Sequence, residues 1–237
     1  GDIIKFAGDA LFAIWPANAR GETLSLVTLR AAQCALAAQK RLNNYPAAED
    51  WKLFLRVGVE AGDVLAAHVG GERGRWEYLL TGEPVVQVGL AEHEAQRGEV
   101  VLGPQAWALI QNNCSGQALP GGSARLEEVR APIEPRPAPP LPSLPPEPEV
   151  ESALKAYIPA AITRRLAAGQ NAWLAELRRI TVLFVQIVGL EHAPTLERLQ
   201  TVMHSLQTVL YQYEGSVRQF ILDDKGAVIG LHDRHHV

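Results

Sequence analysis

The opening residues, GDIIKFAGDALFAIW, place one carboxylate, Asp9, in a Gly-Asp pair between two alternating apolar runs. Apolar–polar alternation marks a half-buried strand, so Asp9 falls at the tip of an expected β-hairpin over 2–15 that turns at Ala7-Gly8-Asp9. Gly-Asp is also ordinary turn chemistry, and the pair alone does not choose between a functional and a structural carboxylate. His232, His235 and His236 follow an i, i+3, i+4 spacing that would share one helical face and could hold zinc. No helix is predicted there, and the remaining histidines (His68, His93, His192 and His204) are isolated. Glu72-Arg73-Gly74-Arg75 reads as a solvated charged loop. Cys34 and Cys114 form no CxxC pair and read as plain thiols of a reducing compartment.

The elements that must position these residues alternate between strand and helix. The Ala- and Leu-rich stretch 24–42 has no breaker and predicts a helix stopped by Asn43-Asn44-Tyr45-Pro46. Residues 52–70 read as two strands around Ala61-Gly62-Asp63, and 76–98 as a strand, a Gly-Glu-Pro turn and a helix closed by Gly98. A short strand and a helix with Pro104 in its first turn follow over 99–110. In the C-terminal part, helical sequence over 151–177 leads to a strand over 180–190. The helix 195–213 has Leu196, Leu199, Val202, Met203, Leu206, Val209, Leu210 and Tyr213 at helical spacing, with Gly215 as its stop. A hairpin over 216–231 turns at Asp224 and Gly226.

Composition sets the outer bounds. A chain of 237 residues holds one large domain or two small ones. With 47% hydrophobic and 20% charged residues it is an ordinary globular sequence. A net charge of −4 argues against a general nucleic-acid binder, which needs a basic surface to displace counterions. The longest apolar run, 180–190, is too short to span a bilayer. Residues 131–149 hold nine of the sixteen prolines and read as an extended linker that forms neither helix nor ladder. It separates 1–130 from 150–237. The two outermost hairpins are alike: with Asp224 laid on Asp9, RQFILDDKGAVIGL follows IIKFAGDALFAIW in its alternation, a weak internal repeat.

Taken together, these stretches resemble the class III nucleotide cyclases. The opening run, with its Lys-Phe-Ala-Gly-Asp core, is similar to the hairpin of the first catalytic domain of bicarbonate-responsive soluble adenylyl cyclases. LRVGVEAGDV over 55–64 resembles the next hairpin of that domain. YLLTGEPVVQVGLAEHEAQRGEVVLGPQAW over 78–107 resembles its following strand, helix and strand. LAELRRITVLFVQIVGL over 174–190 and FILDDKGAVIGL resemble the start and the hairpin of the second catalytic domain. The resemblance implies an α+β fold of ferredoxin-like cyclase catalytic domains: the rear of a first domain in 1–130, the Pro-rich linker in 131–149, and a lead-in helix with the front of a second domain in 150–237. It also implies that the chain, which lacks an initiator Met, is a fragment inactive by itself. A further possibility is that 180–231 pairs with the sheet of residues 1–110 to complete one permuted domain.

The resemblance further implies roles residue by residue. Asp9 matches a metal-binding aspartate, and hard cations such as Mg²⁺ or Mn²⁺ take carboxylate oxygens. Its partner carboxylate would lie upstream. In the second domain Gln186 stands where a metal-binding domain has Asp, so that half is not expected to bind metal. Lys5 matches the lysine of an anion site that binds bicarbonate. The arginine of that site matches Gly89, and one ammonium is a weak anion anchor, which argues against bicarbonate sensing. Arg56 matches a basic residue near the nucleotide phosphates, and Gln219 the lysine that recognises adenine. Asp224 and Lys225 resemble an Asp-Lys-Gly turn. Val86 and Leu90 lie where the other domain carries the transition-state Asn and Arg.

The function implied is that of part of an adenylate cyclase, converting ATP to cyclic AMP and pyrophosphate at the interface of two paired domains. The setting is cytoplasmic, with neither membrane nor nucleic acid as partner. Relatives of this type carry downstream ATPase and repeat domains. The alternative is a catalytically degenerate cyclase-homology module that binds nucleotide or regulates a larger signalling protein.

Overall fold

The computed structural model describes residues 2–7, 9–17, 21–48, 51–135, 143–145, 147–158, 160–169, 181, 183–187, 195–223 and 226–233. In chain order the first elements are β1 (Asp2–Ala7), β2 (Ala10–Ile14), α1 (Leu24–Leu42), β3 (Tyr45–Ala48), β4 (Trp51–Leu53) and β5 (Val57–Val59). Next come β6 (Leu65–Gly70), β7 (Trp76–Thr81), α2 (Glu83–Glu94), β8 (Val100–Leu102), α3 (Pro104–Ile110), β9 (Cys114–Ala118) and β10 (Ala124–Val129). Past the Pro-rich segment lie α4 (Pro148–Lys155), α5 (Ala160–Ala167), β11 (Phe184–Ile187), α6 (Leu196–Gln212), β12 (Gly215–Asp223) and β13 (Gly226–Asp233). The class is α+β, as expected. The chain forms two compact units, one from 1–64 with 83–137 and the other from 65–82 with 138–237.

In the first unit a four-stranded sheet runs β5-β8-β10-β9, with β5 parallel to β8 and the other pairs antiparallel. Helix α1 begins where the sequence predicts because the Thr23 side chain accepts from the Leu26 N–H, and it ends at Asn43 after Lys40 and Arg41. The basic last turn suits the helix dipole. The small buried face of α1 (Ala31, Ala32 and Ala35) packs with Val59, Val100, Leu102, Ile110 and Leu126. The buried amide of Gln39 donates to the Leu55 and Glu99 carbonyls, fixing the helix to the strand entrances. Gln33 donates to the Ile133 carbonyl and accepts from the Ile133 N–H, each at 2.8 Å, which pins the first residues of the Pro-rich segment to α1. Helix α2 lies so close to β5 that a Cβ on Gly58 would stand 2.4 Å from the Val88 carbonyl oxygen and 2.7 Å from the Glu92 nitrogen.

The second unit takes the hairpin β6–β7 and packs it with C-terminal elements. Ala67, Val69 and Leu79 bury against Leu199 and Met203 of α6 and Val217 of β12. The sheet here runs β11-β13-β12, all antiparallel. Thr195 caps α6 by accepting from the Arg198 N–H. The end of α4 lies along the same hairpin, where the Trp76 N–H donates to the Ala156 carbonyl at 3.0 Å.

Several expectations need correction. The two strands expected over 52–70 are present as β5 and β6, but LRVGVEAGDV over 55–64 does not form the hairpin that the resemblance implies: β5 pairs with β8 and β6 pairs with β7. The chain swings away at Gly62, whose φ of +152° favours glycine, and crosses from one unit to the other after Val64. The lead-in helix is two helices, α4 and α5, and α4 starts at Pro148, inside the stretch read as linker. Proline is tolerated at the first helical turn, where its missing N–H would be unpaired anyway. Among the described residues no strand of 180–231 pairs with the sheet of 1–110. The antiparallel pairs β3–β4 and β9–β10 were not anticipated.

Candidate functional site

The hairpin expected over 2–15 is present. Strands β1 and β2 pair from Asp2↔Ile14 to Ala7↔Ala10, with a bulge between Ile3 and Lys5. Asp9 sits exposed in the turn between them, on paired strands that hold its backbone. Lys5 lies opposite Phe12 on the same hairpin, and its side chain is outside the described residues. The hairpin carries exposed Ile3, Phe6 and Leu11.

Arg56 immediately precedes β5, exposed and ion-paired at 2.8 Å with Glu92 of α2. Both partners face solvent, so the pair is weak and competes poorly against a multiply charged phosphate chain. Val86, Gly89 and Leu90 lie along α2; Val86 is partly buried and Leu90 is exposed. Asp9, Lys5 and Arg56 all belong to the first unit.

Gln219 lies in β12 just past a bulge at Val217, opposite Gly230, and Gln186 lies in β11 opposite Val228. The side chains of both are outside the described residues, as are Asp224 and Lys225 altogether. His232 falls in β13 opposite Ser216, so the local backbone is strand, while His235 and His236 lie outside the described residues. Among the described residues no group of three or more His, Cys, Asp or Glu could hold a metal ion. Asp9 supplies one carboxylate, whereas Mg²⁺ takes six oxygen ligands. The described residues therefore do not make a complete cation site by themselves.

One electrostatic feature escaped the sequence reading. Glu60, just past β5, accepts from the Ala61 and Ala106 N–H groups, each at 2.7 Å, and so caps the start of α3. Burial holds its carboxyl above the usual range against these stabilising hydrogen bonds, and Glu83 nearby pushes the same way. Gly103 makes room for it, since a Cβ there would collide with Glu60 Oε2. The sequence signal is slight: a carboxylate ends a short apolar strand 46 positions before its second partner.

No family model matches the chain. Among curated proteins it is similar to adenylate cyclase type 10. It is 25% identical to the Homo sapiens protein over 260 residues, and 26% identical to the Mus musculus protein over the same length. Each match covers 95% of this chain and 16% of the relative, so the chain spans about one-sixth of the length of these relatives. Solved structures with partial likeness include the adenylyl cyclase CyaB from P. aeruginosa, at 18% identity and TM-score 0.46, covering 56% of this chain and 74% of that one. The guanylyl cyclase Cya2 matches at 20% identity and TM-score 0.42, covering 54% and 71%. The similarity to adenylate cyclase type 10 runs along nearly the whole sequence. No helix among the described residues is long and apolar enough to cross a membrane.

Proposed function

We propose that the chain is part of an adenylate cyclase that converts ATP to cyclic AMP and pyrophosphate. The observation that carries this reading is similarity to adenylate cyclase type 10 over 95% of the chain. The opening hairpin, with Asp9 at its turn, supports it. In this reaction the ribose 3′-oxygen bonds to the α-phosphorus, the bond to the β-phosphate oxygen breaks, and the 3′-hydroxyl proton leaves. Mg²⁺ or Mn²⁺ is the cofactor of this reading, with Asp9 supplying one oxygen. The rest of the coordination shell has to come from nucleotide phosphates, water and other carboxylates. Arg56 would turn from Glu92 to the phosphates, and Gln219 would offer an amide to the purine edge. The two catalytic halves, 1–130 and 150–237, pair within one cytoplasmic chain joined by the linker 131–149.

A second reading has its own support. Gln219 stands where the resemblance calls for the lysine that recognises adenine. This departure fits a module that binds nucleotide without turning it over.

Cyclic AMP formation from Mn·ATP by the full natural chain separates the two. The enzyme reading expects turnover that falls roughly a hundredfold in Asp9→Asn. Turnover untouched by that substitution removes Asp9 as a ligand. Saturable Mn·ATP binding with no cyclic AMP establishes the degenerate module.

A further inference from the structure

A two-stranded hairpin is not stable alone, and β6–β7 finds its support on α6. Apolar contacts among Val69, Leu79, Leu199, Met203 and Val217 supply that support without direction. Any hairpin with a similar apolar face would satisfy them. Two glutamines seven positions apart on α6 add the direction, since residues two turns apart share one face.

Gln200 accepts from the Gly70 N–H at 2.9 Å and donates to the Gly70 carbonyl at 2.8 Å. Gln207, fully buried, accepts from the Glu72 N–H and donates to the Arg75 carbonyl, both at 3.1 Å. Both ends of each amide are thereby used on the backbone of one turn. That turn is closed by its own bonds from Gly71 N–H to the Arg75 carbonyl and from Gly74 N–H to the Gly71 carbonyl. Gly70 has φ of +104°, and a Cβ there would stand 2.6 Å from both amide heavy atoms of Gln207.

We propose that Gln200 and Gln207 make this face of α6 a dedicated receptor for the chain's own 65–82 hairpin. They select it by the backbone of its 70–75 turn and fix its register. A hairpin with a side chain at the Gly70 position, or with a different turn, leaves buried amide groups unpaired, which costs more than the bonds themselves contribute. The selectivity therefore comes from rejecting other hairpins as much as from holding this one. It is independent of whether the protein turns over nucleotide.

The chain's one methionine, Met203, lies fully buried beneath the hairpin and reports its release. Its conversion to the sulfoxide by added hydrogen peroxide is followed by mass spectrometry in the full 237-residue chain. Amide exchange of Gly70 and Glu72 is read alongside, with Val101 of β8 as the internal reference. In Gln200→Ala and Gln207→Ala, Met203 oxidation and exchange at the corresponding amide should each rise at least about tenfold, with Val101 unchanged. Gly70→Ala should release the hairpin as well. The double variant Gly70→Ala, Gln207→Ala should be no more exposed than Gly70→Ala alone, because the side chain it collides with is gone. Should Gln207→Ala fail to fold, Gln207→Leu keeps most of the volume, removes the hydrogen bonds and adds no second methionine. Unchanged Met203 oxidation and amide exchange in folded variants, or fully additive effects in the double variant, overturn the proposal.

Discussion

Glu60 sits half-buried with its carboxyl raised above the ordinary value of 4.5, chiefly by burial. The folded protein therefore binds this proton more readily than the unfolded chain. The stability it lends is complete below about pH 4.5 and fades as pH rises through the folded value. Glu60→Gln keeps an acceptor for Ala61 and Ala106 and removes the charge. Urea midpoints measured from pH 4.5 to 7.5 should fall less steeply for Glu60→Gln than for the unaltered protein, and parallel curves would refute the burial argument. At this scale the sequence was readable where chemistry is local. Gly-Asp between alternating strands puts Asp9 at a turn without needing a distant partner, and the turn is where it lies. Glu60, Gln200 and Gln207 were not readable. Each is defined by backbone groups 46 to 135 positions away, which no spacing rule reaches.

Helices α1 and α6 were legible nearly to the residue because each carries a threonine cap and a helical apolar period. Strands were legible as strands but not in their pairing. Val57–Val59 and Leu65–Gly70 look like two arms of one hairpin, yet each bonds elsewhere, because period-two patterning fixes a face and leaves the neighbour open. A close approach between two elements gives a sharp test. A methyl on Gly58 would meet the backbone of α2, which cannot rotate aside as a side chain can. Gly58→Ala should destabilise the protein by about 3 kcal/mol through forced separation of β5 and α2. Chemical denaturation measures it, and a loss under about 0.5 kcal/mol would mean that α2 shifts freely over the sheet.

The molecule as a whole is interleaved: residues 65–82 belong to one compact unit while the sequence on both sides of them belongs to the other. The Pro-rich break near 131–149 was legible from composition alone, and the first unit ends at Pro137 within it. The interleaving was not legible, since it depends on a hairpin finding a helix far along the chain. It predicts how a cut chain behaves. A protease site inserted within 138–146 and cleaved should yield two pieces that co-elute in native size exclusion and part in urea, because the N-terminal piece still carries the hairpin that α6 holds. Pieces that separate without denaturant would show that the hairpin's grip is too weak to matter. The same arrangement sets an order of events at the ribosome. The hairpin is complete at Thr81, but α6 does not begin until Leu196. At about 5–20 residues per second, Ala67, Val69 and Leu79 wait about 6–23 s for their cover during synthesis. For that interval the nascent chain offers a bare apolar strand pair, a natural client for a chaperone waiting at the tunnel exit.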